Sequence, residues 1–312
     1  MRLTFGVLLS LMLGAAHANA DLTAAIENVR TTCGNISAEL TDMKKMAGIT
    51  MAVTGVGTVA GGVALGTGLA KANVDKEFLK KEELIAALEQ AGAIQITGLD
   101  MFYETFAIAL GETGTANGQL YAAQLQDKKN KLEQKSKNLG NWRTGSLAVV
   151  TATNIAGAVM SGTNRVKGDL KQQIDECLAS VKTLSSVRMQ ARIDGSANDT
   201  DLARAENIIR ACEAWSTVDI TPINNRSKGA TVSSGIGAGL GLAGTITSAS
   251  ANSDGVRNGD DKQKEQNLNT AANVLAGGTT VASATATIFN ATQISAIKRA
   301  ATVADECEGA LK

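Results

Sequence analysis

A chain of 312 residues with 30 basic and 30 acidic side chains has no formal net charge at pH 7, and 44% of it is hydrophobic while only 3% is aromatic. Balanced charge gives no electrostatic case for nucleic acid, and one proline among 32 glycines is foreign to an all-β sandwich, which needs turn signals between short β-branched and aromatic runs. The length suffices for one or two domains with a buried core, and long helices packed through small side chains fit this composition.

At the start, Arg2 precedes an apolar run from Phe5 to Leu13 that leads into Ala18, Asn19 and Ala20, the pattern of a secretory signal peptide cut after Ala20. The run is too short to span a bilayer, which takes about 20 apolar residues. The expectation is an exported protein of the periplasm or cell envelope whose mature chain begins at Asp21. His17 is the only histidine and leaves with the leader. Ser-His-Asp triads, Cys-His pairs, histidine-held zinc and histidine pH switches are then excluded together.

Four stretches of the mature chain contain no Asp, Glu, Lys, Arg or His: Met46 to Ala70, Thr144 to Asn164, Gly229 to Ser253 and Gln266 to Ile297. Each is about 20 residues or longer, the length of a bilayer-spanning helix, and each is rich in Gly, Ala, Ser, Thr and Val. Charged, amphipathic sequence separates them. The second and fourth align at an offset of 130, with Ala152, Ala156, Asp175, Glu176 and Cys177 falling on Ala282, Ala286, Asp305, Glu306 and Cys307. The first and third align at an offset of 180, where Gly55, Gly57 and Gly61 fall on Gly235, Gly237 and Gly241. We read this as an internal repeat of a two-helix unit.

Residues paired across an antiparallel hairpin have position numbers with a constant sum. Cys33 with Cys177 gives 210, which sets Gly55 opposite Ile155; Cys212 with Cys307 gives 519, which sets Gly239 opposite Thr280. Both registers align one uncharged stretch with another at mid-length. Four cysteines in an exported chain without a C-x-x-C motif point to disulfides rather than metal ligands or redox work, so Cys33–Cys177 and Cys212–Cys307 are the expected bridges. A second connectivity stays open, because the polar turn from Asp194 to Asp199 can bring Cys177 back towards Cys212 and leave Cys33 for Cys307.

The fold class that follows is all-α: two tandem long antiparallel helical hairpins forming a helical bundle, with a small helical tip subdomain inserted in the first hairpin. Residues 21–193 make the first unit, with the tip at about 72–143, and residues 194–312 the second. The tip holds Phe78, Phe102, Tyr103, Phe106 and Tyr121, candidate partner-binding residues whose bland alternative is local packing.

Glycine within a helix costs about 1 kcal/mol relative to alanine, so Gly55, Gly57, Gly61, Gly62 and Gly66, with Gly235, Gly237, Gly239 and Gly241, need compensation from close helix packing. Gly57–Gly61, Gly62–Gly66, Gly235–Gly239 and Gly237–Gly241 have G-x-x-x-G spacing. Over these short stretches the chain resembles the glycine-zipper segments of membrane and pore-forming proteins.

Other motifs carry little. Gly235-Ile236-Gly237-Ala238-Gly239 lacks the strand and βαβ setting of a dinucleotide loop, and no nucleotide is expected. The acidic turns Asp194 to Asp201 and Asp254 to Asp261 do not match EF-hand spacing, and the pairs Glu82–Glu83 and Asp260–Asp261 read as surface neighbours. No catalytic residue, metal or cofactor is nominated. The functional expectation is a non-enzymatic envelope protein, structural or partner-binding, with its glycine-zipper hairpins associated with membrane. Two alternatives stand beside it: a pore-forming secreted factor, and a soluble periplasmic bundle that buries its uncharged stretches by self-association. Serine, threonine and Asn154 count against lipid, since they are poor lipid-facing residues; a water-facing surface without charge counts against the soluble bundle.

Overall fold

The computed structural model describes residues 21–95, 114–257 and 262–312, with side chains described for 21–86, 124–253, 255–257 and 262–312. Among the described residues every regular element is helical: α1 (21–33), α2 (Ile36–Gln95), α3 (Gly114–Thr163), α4 (Gly168–Ile193), α5 (Asp199–Glu213), a 3₁₀ turn (Ala214–Thr217), α6 (Thr221–Ala251), the single turn α7 (Asp254–Arg257) and α8 (Lys262–Leu311). The protein is an all-α helical bundle of long helices joined as hairpin pairs.

Local chemistry sets the breaks between helices. Gly195 has φ of 60°, in the left-handed region, and Ser196 N donates to the Ala191 carbonyl at 3.0 Å, so α4 ends in a Schellman cap that glycine makes cheap. Asn198 then caps α5 by accepting from Asp201 N at 2.8 Å, with Asp199 and Asp201 in the first turn where the helix dipole favours them. Pro222 sits in the first turn of α6, where a missing N–H costs nothing. Hydrogen bonding from the Thr221 side chain and from Thr221 N, which donates to the Asp219 carboxylate at 2.9 Å, lowers the Asp219 pKa from its ordinary value.

Two compact units share the long helices. The first comprises residues up to Gly55, Ile155–Ser234 and Thr285–Lys312. Its core is conventional, with Leu22, Ile36, Leu40, Leu170, Leu184, Ile208, Trp215, Ile223 and Ile297 buried together. Arg30 ties α1 to the end of α8 through the Leu311 carbonyl at 2.7 Å, and Thr32 pairs with Ser180 at 2.7 Å. Both disulfides lie in this unit and join Cys33 to Cys177 and Cys212 to Cys307. The second unit comprises Val56–Asn154 and Gly235–Ala284. Its buried hydrophobic cluster is small, Ala64, Leu147 and Ala276.

In both units the inward positions alternate three and four residues apart. On α2 they are Ile36, Leu40, Met43, Ala47, Thr50 and Thr54 in the first unit, then Gly57, Gly61, Ala64, Gly68 and Lys71 in the second. This is a heptad repeat, the spacing of helices that pack knobs into holes with a left-handed supercoil. The contacts run antiparallel: in the second unit Thr153 lies against Gly57, on the register summing to 210, and Leu240 lies against Gly278 close to the register summing to 519. The described parts of the expected tip, 72–95 and 114–143, continue α2 and α3, and Asp75 on one meets Ser136 on the other.

A Cβ added at Gly61 would stand 2.6 Å from Thr280 Oγ1 and 3.1 Å from Thr280 Cα, while one at Gly62 would meet nothing within 4 Å. Gly61→Ala should therefore cost about 1–3 kcal/mol through overpacking, and Gly62→Ala should gain up to about 1 kcal/mol from helix propensity. Thermal unfolding followed by circular dichroism reads both. Non-reducing peptide mapping should recover the Cys33–Cys177 and Cys212–Cys307 peptides; a Cys177–Cys212 peptide would show the other connectivity.

Candidate functional site

The feature that stands out in each unit is an inverted partition of side chains along the uncharged stretches. In the first unit Met46, Ile49, Met51, Ile155, Val159, Val232 and Ile288 are exposed. The buried positions beside them are Thr50, Thr54, Ser161, Asn164, Ser227, Ser234, Asn290 and Gln293. In the second unit Val56, Val59, Val63, Leu69, Val149, Ile236, Leu242, Ile246, Val274 and Val281 are exposed, Val59 and Val274 at 70%. Asn154, Ser248, Asn269, Thr279 and Ser283 are buried there. A water-soluble helix does the reverse, turning its apolar stripe inward.

The buried polar groups are held in a ladder. In the first unit Asn290 Nδ2 donates to Thr54 Oγ1 at 3.4 Å, Ser161 Oγ donates to Asn290 Oδ1 at 3.3 Å, and Gln293 Nε2 donates to the Asn164 carbonyl at 2.8 Å. In the second, Asn154 Nδ2 donates to Ser283 Oγ at 2.9 Å. Many hydroxyls also bond back to the carbonyl one turn earlier, as Thr50 does to Met46 and Thr279 to Leu275. Such back-bonding satisfies a hydroxyl without water.

Two charges are wholly buried at the border of the uncharged stretches in the second unit. Lys71 Nζ contacts Asp75 at 2.6 Å and Glu265 at 3.5 Å, and Ser136 Oγ donates to Asp75 at 2.5 Å. Arg143 donates through Nε to Ser248 at 2.8 Å, through Nη2 to Asn269 Oδ1 at 2.8 Å and through Nη1 to Asn273 at 3.2 Å. Burial lowers the Arg143 pKa from its ordinary value, with Asp75 acting in the opposite sense. Sequence reasoning missed both residues as core. The signal was their heptad phase, since Lys71 follows Gly61, Ala64 and Gly68, and Arg143 follows Ser136 and Gly140, at three- and four-residue steps.

The glycines divide by face. Gly57, Gly61, Gly237 and Gly241 make close approaches, to Thr153, Thr280, Asn154 and Thr151 respectively. Gly55, Gly62, Gly66, Gly235 and Gly239 meet nothing within 4 Å, so among the described residues their expected packing role has no partner. Positions related by the offset of 180 behave alike: Gly57 with Gly237 and Gly61 with Gly241 face in, Gly55 with Gly235 face out. Gly68 against Asn273, Gly140 against Asn252 and Gly157 against Thr54 and Ser234 are further close approaches that G-x-x-x-G spacing did not single out.

Of the aromatic candidates, Phe78 lies under Lys129 Nζ, 5.4 Å from the ring centroid, and Lys129 also pairs with Glu82 at 3.1 Å. Phe78 lines a cavity of about 320 Å³ with Asp75, Glu133, Arg257 and Lys262. Phe102, Tyr103, Phe106 and the Tyr121 side chain lie outside the described residues. The sulfurs of Cys33, Cys177 and Cys307 fall within 4.8 Å of one another, which reflects two adjacent crosslinks; a metal would need thiolates that disulfides do not supply.

By length and composition α2 and α3 are able to cross a membrane, with best windows of mean hydropathy 1.6 and 1.2 that are only 28% and 33% buried. No protein-family model, curated protein or solved structure matches the chain.

Arg143→Met keeps the volume but removes the buried donor to Ser248, Asn269 and Asn273, leaving the Asn269 and Asn273 amide oxygens without it. The expected cost is about 2–4 kcal/mol, read as a lowered unfolding midpoint, and a combined Arg143→Met, Asn269→Leu, Asn273→Leu chain should recover part of it.

Proposed function

We propose that the chain is a non-enzymatic, exported cell-envelope protein whose uncharged helical stretches lie in a lipid bilayer, with a structural or partner-binding role. The observation that carries this is the inverted partition: most valines, isoleucines and leucines of the stretches outward, with Leu147, Val150 and Ile297 the buried exceptions, and hydroxyls and amides inward. In water each outward Val or Ile would forgo about 1.5–3 kcal/mol of burial, and exposed apolar surface of this extent marks a membrane or interaction face. In lipid there is no hydrophobic gain from burying them, so helices associate through small residues and interhelical hydrogen bonds, the arrangement on the inner faces here. Thr54, Asn154, Ser161, Ser283 and Asn290, of types that face lipid poorly, bond to one another on the inner faces.

Compartment follows from chemistry. The leader pattern before Asp21 and two crosslinks among the four cysteines suit an oxidising, exported side for the disulfide-bearing unit. Trp142, 68% exposed and two residues from the start of an uncharged stretch, suits the headgroup level where tryptophan anchors helices.

A pore-forming role is a second reading, favoured by the open outer glycines Gly62, Gly66, Gly235 and Gly239, which offer G-x-x-x-G faces to further copies. Dye release from vesicles under oxidising and reducing conditions tests it, and its absence in both removes that reading.

The membrane reading is tested by Val59→Arg and Ile155→Arg. In lipid each should cost about 2.5–3.5 kcal/mol and move the chain out of the carbonate-resistant membrane fraction. If the surface faces water, both variants should stay folded and become more soluble, and a monodisperse detergent-free monomer of the unaltered chain would end the membrane reading.

A further inference from the structure

We infer that the first unit carries a cationic collar that binds the phosphates of anionic phospholipid headgroups at the edge of its apolar surface. The inference rests on the membrane reading and adds to it a lipid class and a leaflet.

In this unit the residue bordering each of the four uncharged stretches is basic: Lys45 before Met46, Arg165 after Asn164, Lys228 before Gly229 and Lys298 after Ile297. A second cation stands within two positions of each, Lys44, Lys167, Arg226 and Arg299. The nearest carboxylates, Asp42, Asp169, Asp219 and Asp305, all lie farther from the apolar surface. Moving away from that surface, every one of the four segments reads apolar, then cation, then acid. Hydrogen bonds within the unit join three of the four bordering segments near one level, and the register summing to 210 sets Lys45 opposite Arg165. Val166 N donates to Asn224 Oδ1 at 2.8 Å, Gln293 Nε2 to the Asn164 carbonyl at 2.8 Å, and Arg226 Nη1 to the Thr292 carbonyl at 2.5 Å.

These cations are poorly compensated. Lys44, Lys45, Lys167, Lys228, Lys298 and Arg299 are exposed. Among the described residues, Lys45 is the one of these that reaches a carboxylate, Asp42 at 3.4 Å, and both partners of that pair are about three-quarters exposed, so water screens it. Arg165 Nε is buried with no hydrogen-bond partner. Phosphate diester oxygens are the acceptors that suit such a ring, since charge-assisted bonds to phosphate are strong and basic residues beside an apolar segment gain from an anionic surface. The second unit has no counterpart: its border residues are the buried Lys71 and Arg143 with the acidic Asp254 and Glu265. The collar therefore selects the leaflet that faces the disulfide-bearing unit.

The test is flotation of the purified chain with vesicles of phosphatidylcholine alone or with about one third phosphatidylglycerol. The unaltered chain should bind the anionic vesicles at least about tenfold more tightly, with the preference shrinking as salt rises. Lys44→Gln, Lys45→Gln, Lys228→Gln and Lys298→Gln combined should erase the preference while leaving helix content, disulfides and binding to neutral vesicles as they were. A control chain with Lys76→Gln, Lys80→Gln, Lys128→Gln and Lys135→Gln should keep it. Equal binding of the unaltered chain to both vesicles overturns the collar and leaves the membrane reading standing; binding to neither overturns the membrane reading itself. Loss of preference in the control chain, or tighter binding to a short DNA duplex than to the anionic vesicles, also overturns the collar, because overall charge would then suffice.

Discussion

The close approach of helix backbones at Gly57, Gly61, Gly237 and Gly241 is the constraint on which the other features depend. With no Cβ at these positions, Thr153, Thr280, Asn154 and Thr151 reach into the neighbouring helix. That proximity leaves most inward positions to small side chains, with Leu147 and Val150 as buried exceptions, and is short enough for hydroxyls and amides to bridge. A core of this kind gives little by transfer of apolar area, because it buries little. It holds through dispersion contacts and hydrogen bonds, and those bonds are strong only where water does not compete for them. The polar ladder is then a requirement of the narrow interior, and the apolar exterior is what remains of the sequence.

The first unit adds a second source of stability. Its buried leucines, isoleucines and Trp215 form an ordinary hydrophobic core, and two disulfides cross it. Closing loops of 144 and 95 residues restricts the unfolded chain strongly, by roughly 4–5 kcal/mol each in the chain-entropy model. Among the described residues the second unit has only the small cluster of Ala64, Leu147 and Ala276, and its inner face ends in Lys71 and Arg143, each fully enclosed by acceptors. Charges of this kind contribute more to register than to stability, since a shift of either helix would leave a buried cation unpaired.

Much of the fold was legible because helical periodicity and cysteine spacing are both one-dimensional signals. The sum of 210 places Thr153 beside Gly57, and Cys33 with Cys177, from position numbers alone. Which face of each stretch turns inward was not legible from hydrophobicity, because the inward set is mostly Gly, Ala, Ser, Thr and Asn and the outward set mostly Val, Ile and Leu, with Leu147, Val150 and Ile297 turned inward. A search for apolar heptads reads such a helix inside out. The same inversion explains the uneven fate of the glycines, for G-x-x-x-G spacing is satisfied on either face, and only the three-and-four phase of Thr50, Thr54, Gly57 and Gly61 separates Gly61 from Gly62. Arg143 and Lys71 escaped notice for a related reason: a charge at the edge of an uncharged stretch reads as a solvated boundary unless its phase is followed.

The most direct measurement of the account is photo-crosslinking from the outward face. A benzophenone side chain placed singly at Val59, Ile155, Ile246 or Val281 in the reconstituted chain, irradiated and analysed by mass spectrometry, should form adducts with lipid acyl chains at every position. Adducts confined to a second copy of the chain, or no lipid adduct at any of the four positions, would contradict a lipid-facing exterior and return the protein to a soluble, self-associating bundle.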